Sequence, residues 1–117
     1  MNLEELNSYL NVLHGPASVE DITVISGAIT IKFNGDTGTK DKGEIELVFL
    51  NVEAVNLSFS LLAPVTIELR NDLITRYIES NYVDDGLNFY LLTDDVGAIW
   101  WVYARRYIVS VLPVLYK

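Results

Sequence analysis

The chain has no cysteine and only one histidine among its 117 residues. The first absence excludes disulfides and thiolate metal sites, and it suits a reducing compartment. The second leaves His14 as the sole imidazole. A general base needs an orienting carboxylate and a substrate pocket, and no motif for phosphate, metal or nucleophilic chemistry accompanies His14. It reads instead as a capping or packing residue near the end of a helix, where a cation favours the dipole. Basic residues are also scarce, with eight Lys and Arg against sixteen Asp and Glu, a net charge of −8. Phosphate binding needs clustered Lys or Arg, and the adjacent pair Arg105-Arg106 lies within an apolar stretch. Direct binding to nucleic acid or to an anionic membrane is therefore not expected. Long hydrophobic runs are missing too. The longest, Ala98 to Ala104, is far short of the ~20 residues that span a bilayer. Met1-Asn2-Leu3-Glu4-Glu5 offers neither a basic nor an apolar signal-peptide region, so the expectation is a soluble cytoplasmic protein. No enzyme activity, cofactor or metal is expected.

What the chain does have is apolar residues, at 50%. Disorder needs low hydrophobicity, so a folded domain covering 1–117 is expected. The excess of Val, Ile, Leu and Tyr suits a sheet. It also leaves open an exposed patch for a homo-oligomer, the mark of a structural or assembly subunit.

Leu3, Leu6, Tyr9, Leu10 and Leu13 recur at helical spacing, with acids in the first turn, and Gly15-Pro16 reads as the stop. Strand signals follow at Ile22 to Ile25 and Ala28 to Phe33, joined at Ser26-Gly27 by a tight hairpin or a bulge. Asn34 to Gly43 has no apolar side chain and reads as a loop. Alternation resumes at Glu44 to Leu50. It then breaks near Asn51, continues through Val55, Leu57, Phe59 and Leu61, and gives a shorter strand at Val65 to Leu69. Asn71 suits the N-cap of a short helix carrying Leu73, Ile74, Tyr77 and Ile78. Asn88 to Leu92 and Ala98 to Ala104 read as a hairpin, and Tyr107 to Leu112 as a last strand or its continuation, ended by Pro113. The expected fold is α+β: a mostly antiparallel sheet of about five to seven strands, with an N-terminal helix and a second short helix packed on it.

Between Tyr77 and Ala104 stand five carboxylates, Glu79, Asp84, Asp85, Asp94 and Asp95, and not one Lys or Arg. Solubility and turn chemistry account for much of this, since Asp before Gly is ordinary turn usage. Neither aspartate pair has EF-hand spacing, and adjacent residues on a strand point to opposite faces, which argues against metal ligation or paired acid–base catalysis. The sharper reading is complementarity to a basic partner. Glu79, Asp84, Asp85, Asp94 and Asp95 would then supply the field, and Tyr82 and Tyr90 the contact area. Trp100-Trp101 makes both faces of its strand apolar, so that strand is either central and covered or carries a binding face.

The order of these features resembles a known group. An N-terminal helix ends in Leu13-His14, strands and Leu47-Val48-Phe49-Leu50-Asn51-Val52 follow, and the acidic hairpin Asp94-Asp95-Val96-Gly97-Ala98-Ile99 comes late. This is similar to small, acidic, β-rich bacterial immunity proteins of polymorphic-toxin systems, many of which carry Leu-His-Asp after the first helix; here Gly15 takes the third position. The resemblance implies a non-enzymatic inhibitor that neutralises a basic partner such as a toxin nuclease.

Overall fold

The alternating segments Ile29 to Phe33 and Ile45 to Phe49 lie side by side in one antiparallel sheet. The computed structural model describes residues 2–11, 15–17, 27–36, 42–57, 61–63 and 65–113. In chain order these form α1 (Leu3–Leu10), β1 (Gly15–Ala17), β2 (Ile29–Asp36), β3 (Lys42–Asn56), β4 (Leu61–Ala63) and β5 (Val65–Leu69). A 3-10 turn at Asn71–Leu73 then runs into α2 (Ile74–Tyr77), followed by a 3-10 turn at Ser80–Tyr82, β6 (Asn88–Asp94) and β7 (Ile99–Pro113). The five-stranded sheet has the order β2-β3-β7-β6-β5, and β1 pairs with β4 separately. The architecture is thus α+β with an antiparallel sheet, an N-terminal helix and a short second helix. No helix among the described residues is long and apolar enough to cross a membrane.

Strand parity decides the two faces. Ile29, Ile31 and Phe33 of β2, Ile45, Leu47 and Phe49 of β3, and Trp100, Val102 and Ala104 of β7 are all buried in one core, under Leu6 and Leu10 of α1. Each of those two leucines contributes on the order of 1.5–3 kcal/mol by leaving water. The opposite face buries Phe89 and Tyr103 under Ile78 and Leu87, with Trp101, Leu73 and Ile74 packed around them. The strand with adjacent tryptophans is therefore central and covered on both faces. Its partners are β3 on one side and β6 on the other.

Helix α1 starts where the Asn2 side chain accepts a hydrogen bond from the Glu5 N–H at 2.8 Å, with Glu4 and Glu5 in the first turn. Its Asn7 reaches the outer edge of β5. Asn7 Oδ1 accepts from the Ile67 N–H at 2.8 Å, and Asn7 Nδ2 donates to the Ile67 carbonyl at 2.9 Å. An amide thus occupies edge groups that would otherwise be open to another strand. Asn7→Ala is expected to cost about 1–3 kcal/mol, because it leaves a part-buried donor and acceptor unpaired. Asn7→Asp should cost at least as much at neutral pH, because its second carboxylate oxygen has no proton to donate and would face the Ile67 carbonyl oxygen. Urea denaturation of the two variants beside the wild type checks the ranking.

Several expectations are corrected. The helix ends at Leu10, with Asn11 as its C-cap, and Gly15-Pro16 is not a helix stop but part of β1. The loop expected over Asn34 to Gly43 is shorter, because the β2–β3 ladder runs on to Asp36↔Lys42. The break near Asn51 does not end a strand. Asn51 takes a positive φ of 54° within β3, a conformation asparagine tolerates, and a register shift follows between Val52 and Ala54. The break is absorbed as an irregularity inside one strand of 15 residues. Of the two readings for Tyr107 to Leu112, the structure has the continuation: β7 runs past Arg105-Arg106. Asn71 is not an N-cap: its Oδ1 accepts from the Phe89 N–H at 2.8 Å and its Nδ2 donates to Asn88 Oδ1 at 3.1 Å, tying the turn to β6. The strand expected at Ile22 to Ile25, and His14, lie outside the described residues.

Two tyrosines of the first core give a pH expectation. Burial raises the Tyr90 hydroxyl above its ordinary 10.0, against an opposing hydrogen bond with Asn88. Burial, with a smaller contribution from Glu5, raises Tyr107. A folded-state value above the unfolded one means this stability is fully present below pH 10.0 and lost as pH rises through the raised values. Thermal melts across the alkaline range should show a declining limb, and Tyr90→Phe should make it shallower.

Candidate functional site

The 18 residues from Arg70 to Leu87 leave β5, cross one face of the sheet and return to β6. Their apolar anchors, Ile78 and Leu87, sink onto Phe89 and Tyr103. Aromatic contacts hold the crossing in place: Tyr77 stacks on Phe89 with centroids 5.7 Å apart, and Phe89 stacks on Trp101 at 5.2 Å. Tyr103 pins the far end, where its hydroxyl accepts from the Asp84 N–H at 3.0 Å and donates to the Asp84 carbonyl at 3.3 Å. Tyr103→Phe is expected to cost about 1–2 kcal/mol, because the phenyl ring fits but the Asp84 amide loses its partner. Faster amide exchange from Asp84 to Leu87 would accompany that loss, as hydrogen-exchange mass spectrometry can read.

This crossing builds a cleft of about 270 Å³ against β3, lined by Glu53, Ala54, Tyr77, Ile78, Glu79, Tyr82 and Tyr103. The bulge in β3 matters here. Its register shift leaves Glu53 as the extra residue between Val52 and Ala54, and bulges re-aim side chains in this way. Glu79 enters the cleft from the chain just before the Ser80–Tyr82 turn, whose Tyr82 N–H donates to the Glu79 carbonyl at 2.9 Å. Tyr82 is 62% exposed and its neighbour Val83 45%.

The seven residues expected to bind a partner separate in space. Glu79 and Tyr82 share the cleft, and Asp84 and Asp85 follow on the adjacent exposed turn. The Asp84 carboxylate serves that turn, accepting from the Gly86 N–H at 2.8 Å. The turn also has a basic neighbour that is invisible in the local sequence. A Cβ placed on Gly86 would lie 2.9 Å from Arg105 Nη1, so the guanidinium rests against the turn and offsets part of its charge. Asp94 and Asp95 sit at the other end of β6, six residues beyond Asn88, or about 20 Å at strand rise. Asp94 Oδ1 accepts from the Val96 and Ala98 N–H groups at 3.1 and 2.8 Å, shaping the β6–β7 hairpin. Gly97 there takes a φ of 92°, the left-handed position that a three-residue hairpin loop requires. Tyr90 is 4% exposed, with its ring 5.2 Å from Phe49 and 5.6 Å from Tyr107. It is a core residue and offers no contact area.

Glu53 and Tyr77 were not among the expected site residues, and the cleft adds both. The one sequence signal for Glu53 is the interrupted alternation near Asn51. Among the described residues no group of three His, Cys, Asp or Glu side chains is placed to hold a metal ion. Comparison of the chain with family models, curated proteins and solved structures finds no match.

Proposed function

We propose that this chain is a non-enzymatic, acidic protein-binding module, an immunity-type inhibitor that covers the cationic site of a basic partner such as a toxin nuclease. The observation that carries this reading is the surface around Tyr82. An exposed tyrosine and Val83 stand beside Glu79, Glu53, Asp84 and Asp85. Tyrosine is enriched among residues that dominate binding energy, and charge of one sign around such an anchor speeds encounter with the opposite sign. Capture of partners by the tagged protein from extract of its native cells is the test. A basic protein retained in stoichiometric amount, and released by salt, supports the reading. Retention that Tyr82→Ala and salt both leave unchanged removes it.

A second reading, a homo-oligomeric assembly subunit, has one observation in its favour. Ile108 of β7 is 48% exposed and pairs with Val48, which is only partly buried. Native mass by light scattering tests this second reading, which requires a defined oligomer; a monomer removes it.

A further inference from the structure

We infer that the cleft between β3 and the Arg70–Leu87 crossing is the receptor for one arginine side chain presented by the partner protein. This rests on the protein-binding reading and narrows it to a single occupant. Size is the first argument. The cleft measures about 270 Å³, just under the ~300–1,000 Å³ of small-molecule sites, which suits one long side chain.

Charge is the second argument. Glu53 and Glu79 come from different elements and line the same space, and neither is ion-paired among the described residues, unlike Glu68 and Asp72, which pair with Arg70. The walls give the third. Ala54 and Ile78 supply an apolar floor against which the methylene stem of a long cationic side chain packs. The Tyr82 ring has no aromatic partner among the described residues, lines the cleft and is 62% exposed, so it can accept a cation. At the rim the chain already shows the same chemistry: the Arg76 guanidinium lies 5.4 Å from the Tyr77 ring centroid. Arginine fits better than lysine because a planar guanidinium both stacks on a ring and donates in a fork to carboxylates, whereas an ammonium is a strongly hydrated point charge.

Titration of the 15N-labelled protein with N-acetylarginine amide, followed by amide chemical shifts, tests this without any partner. The expected result is saturable shifts centred on Ala54, Ile78, Glu79, Tyr82 and Tyr103, with a millimolar Kd. N-acetylcitrulline amide, the neutral isostere, should bind at least tenfold more weakly, and so should the arginine amide to Glu53→Gln/Glu79→Gln. Equal binding of citrulline overturns the proposal, as does tighter binding of N-acetyllysine amide. Linear shifts that also involve the Asp94–Asp95 hairpin overturn it too, because they mark diffuse attraction to an acidic surface. Capture of the partner is measured separately, so failure of the arginine titration with capture intact refutes the receptor alone.

Discussion

Replacing Phe49 by alanine is expected to destabilise the fold by about 3–5 kcal/mol, the usual range for a large aromatic lost from a packed core. Phe49 is fully buried, contacts the Tyr90 ring at 5.2 Å, and sits between β2 and β7 with Ile29 and Tyr107 as its ladder partners. Hydrogen bonds on both sides fix the backbone of β3, so the site cannot collapse around the smaller side chain and a cavity remains. Natural domains are stable by only about 5–15 kcal/mol, so this one change should remove roughly a fifth or more of the total. Val55→Ala, on the exposed part of the same strand, should cost well under that. Urea midpoints for both variants, at a common slope, check the contrast. Similar small losses would mean that the core is not organised around the centre of β3.

The largest effect on binding is expected at Tyr82. Tyr82→Ala should weaken partner affinity by about 2 kcal/mol or more, the threshold for a dominant interface residue, which is roughly thirtyfold. Its stability should change by no more than about 0.5 kcal/mol, as for an exposed side chain outside any cap or network. Asp94→Asn is the matched control. Asparagine keeps the oxygen that accepts from Val96 and Ala98 and tolerates the same turn geometry, and the hairpin lies far from the cleft. That variant should retain partner affinity. Dissociation rates measured by surface plasmon resonance should carry most of the Tyr82 effect.

Much of the sheet was legible in the sequence because one face of each strand is uniformly apolar. Ile29, Ile31 and Phe33, and Ile45, Leu47 and Phe49, point inward as their alternation requires. The same logic on Trp100-Trp101 left a covered strand or a binding face, and the pairing with both β3 and β6 selects the first. Interruptions were harder to read. A residue such as Asn51 ends a strand or kinks it with equal local chemistry, and only the partner strand decides. For that reason the sequence alone does not mark Glu53 as a site residue. Tyr90 shows the complementary limit. Parity separates it from Phe89, but both faces of β6 are covered and both rings are buried, so alternation alone does not say that neither is exposed. Clustering of acids along the chain also overstated their clustering in space. The seven residues of β6 carry the two aspartate pairs to opposite ends, while Arg105, distant in sequence, returns to the Gly86 turn.

Whether the acidic aromatic surface at the cleft meets a basic partner is decided by the affinity of the captured partner for wild type and for Glu53→Gln/Glu79→Gln, measured at low and at high salt with melting temperature as the folding control. The expected result is at least a tenfold weakening at low salt, a smaller difference at high salt where screening already removes much of the attraction, and an unchanged melting temperature. Equal affinities at low salt, with the fold intact, would rule this surface out.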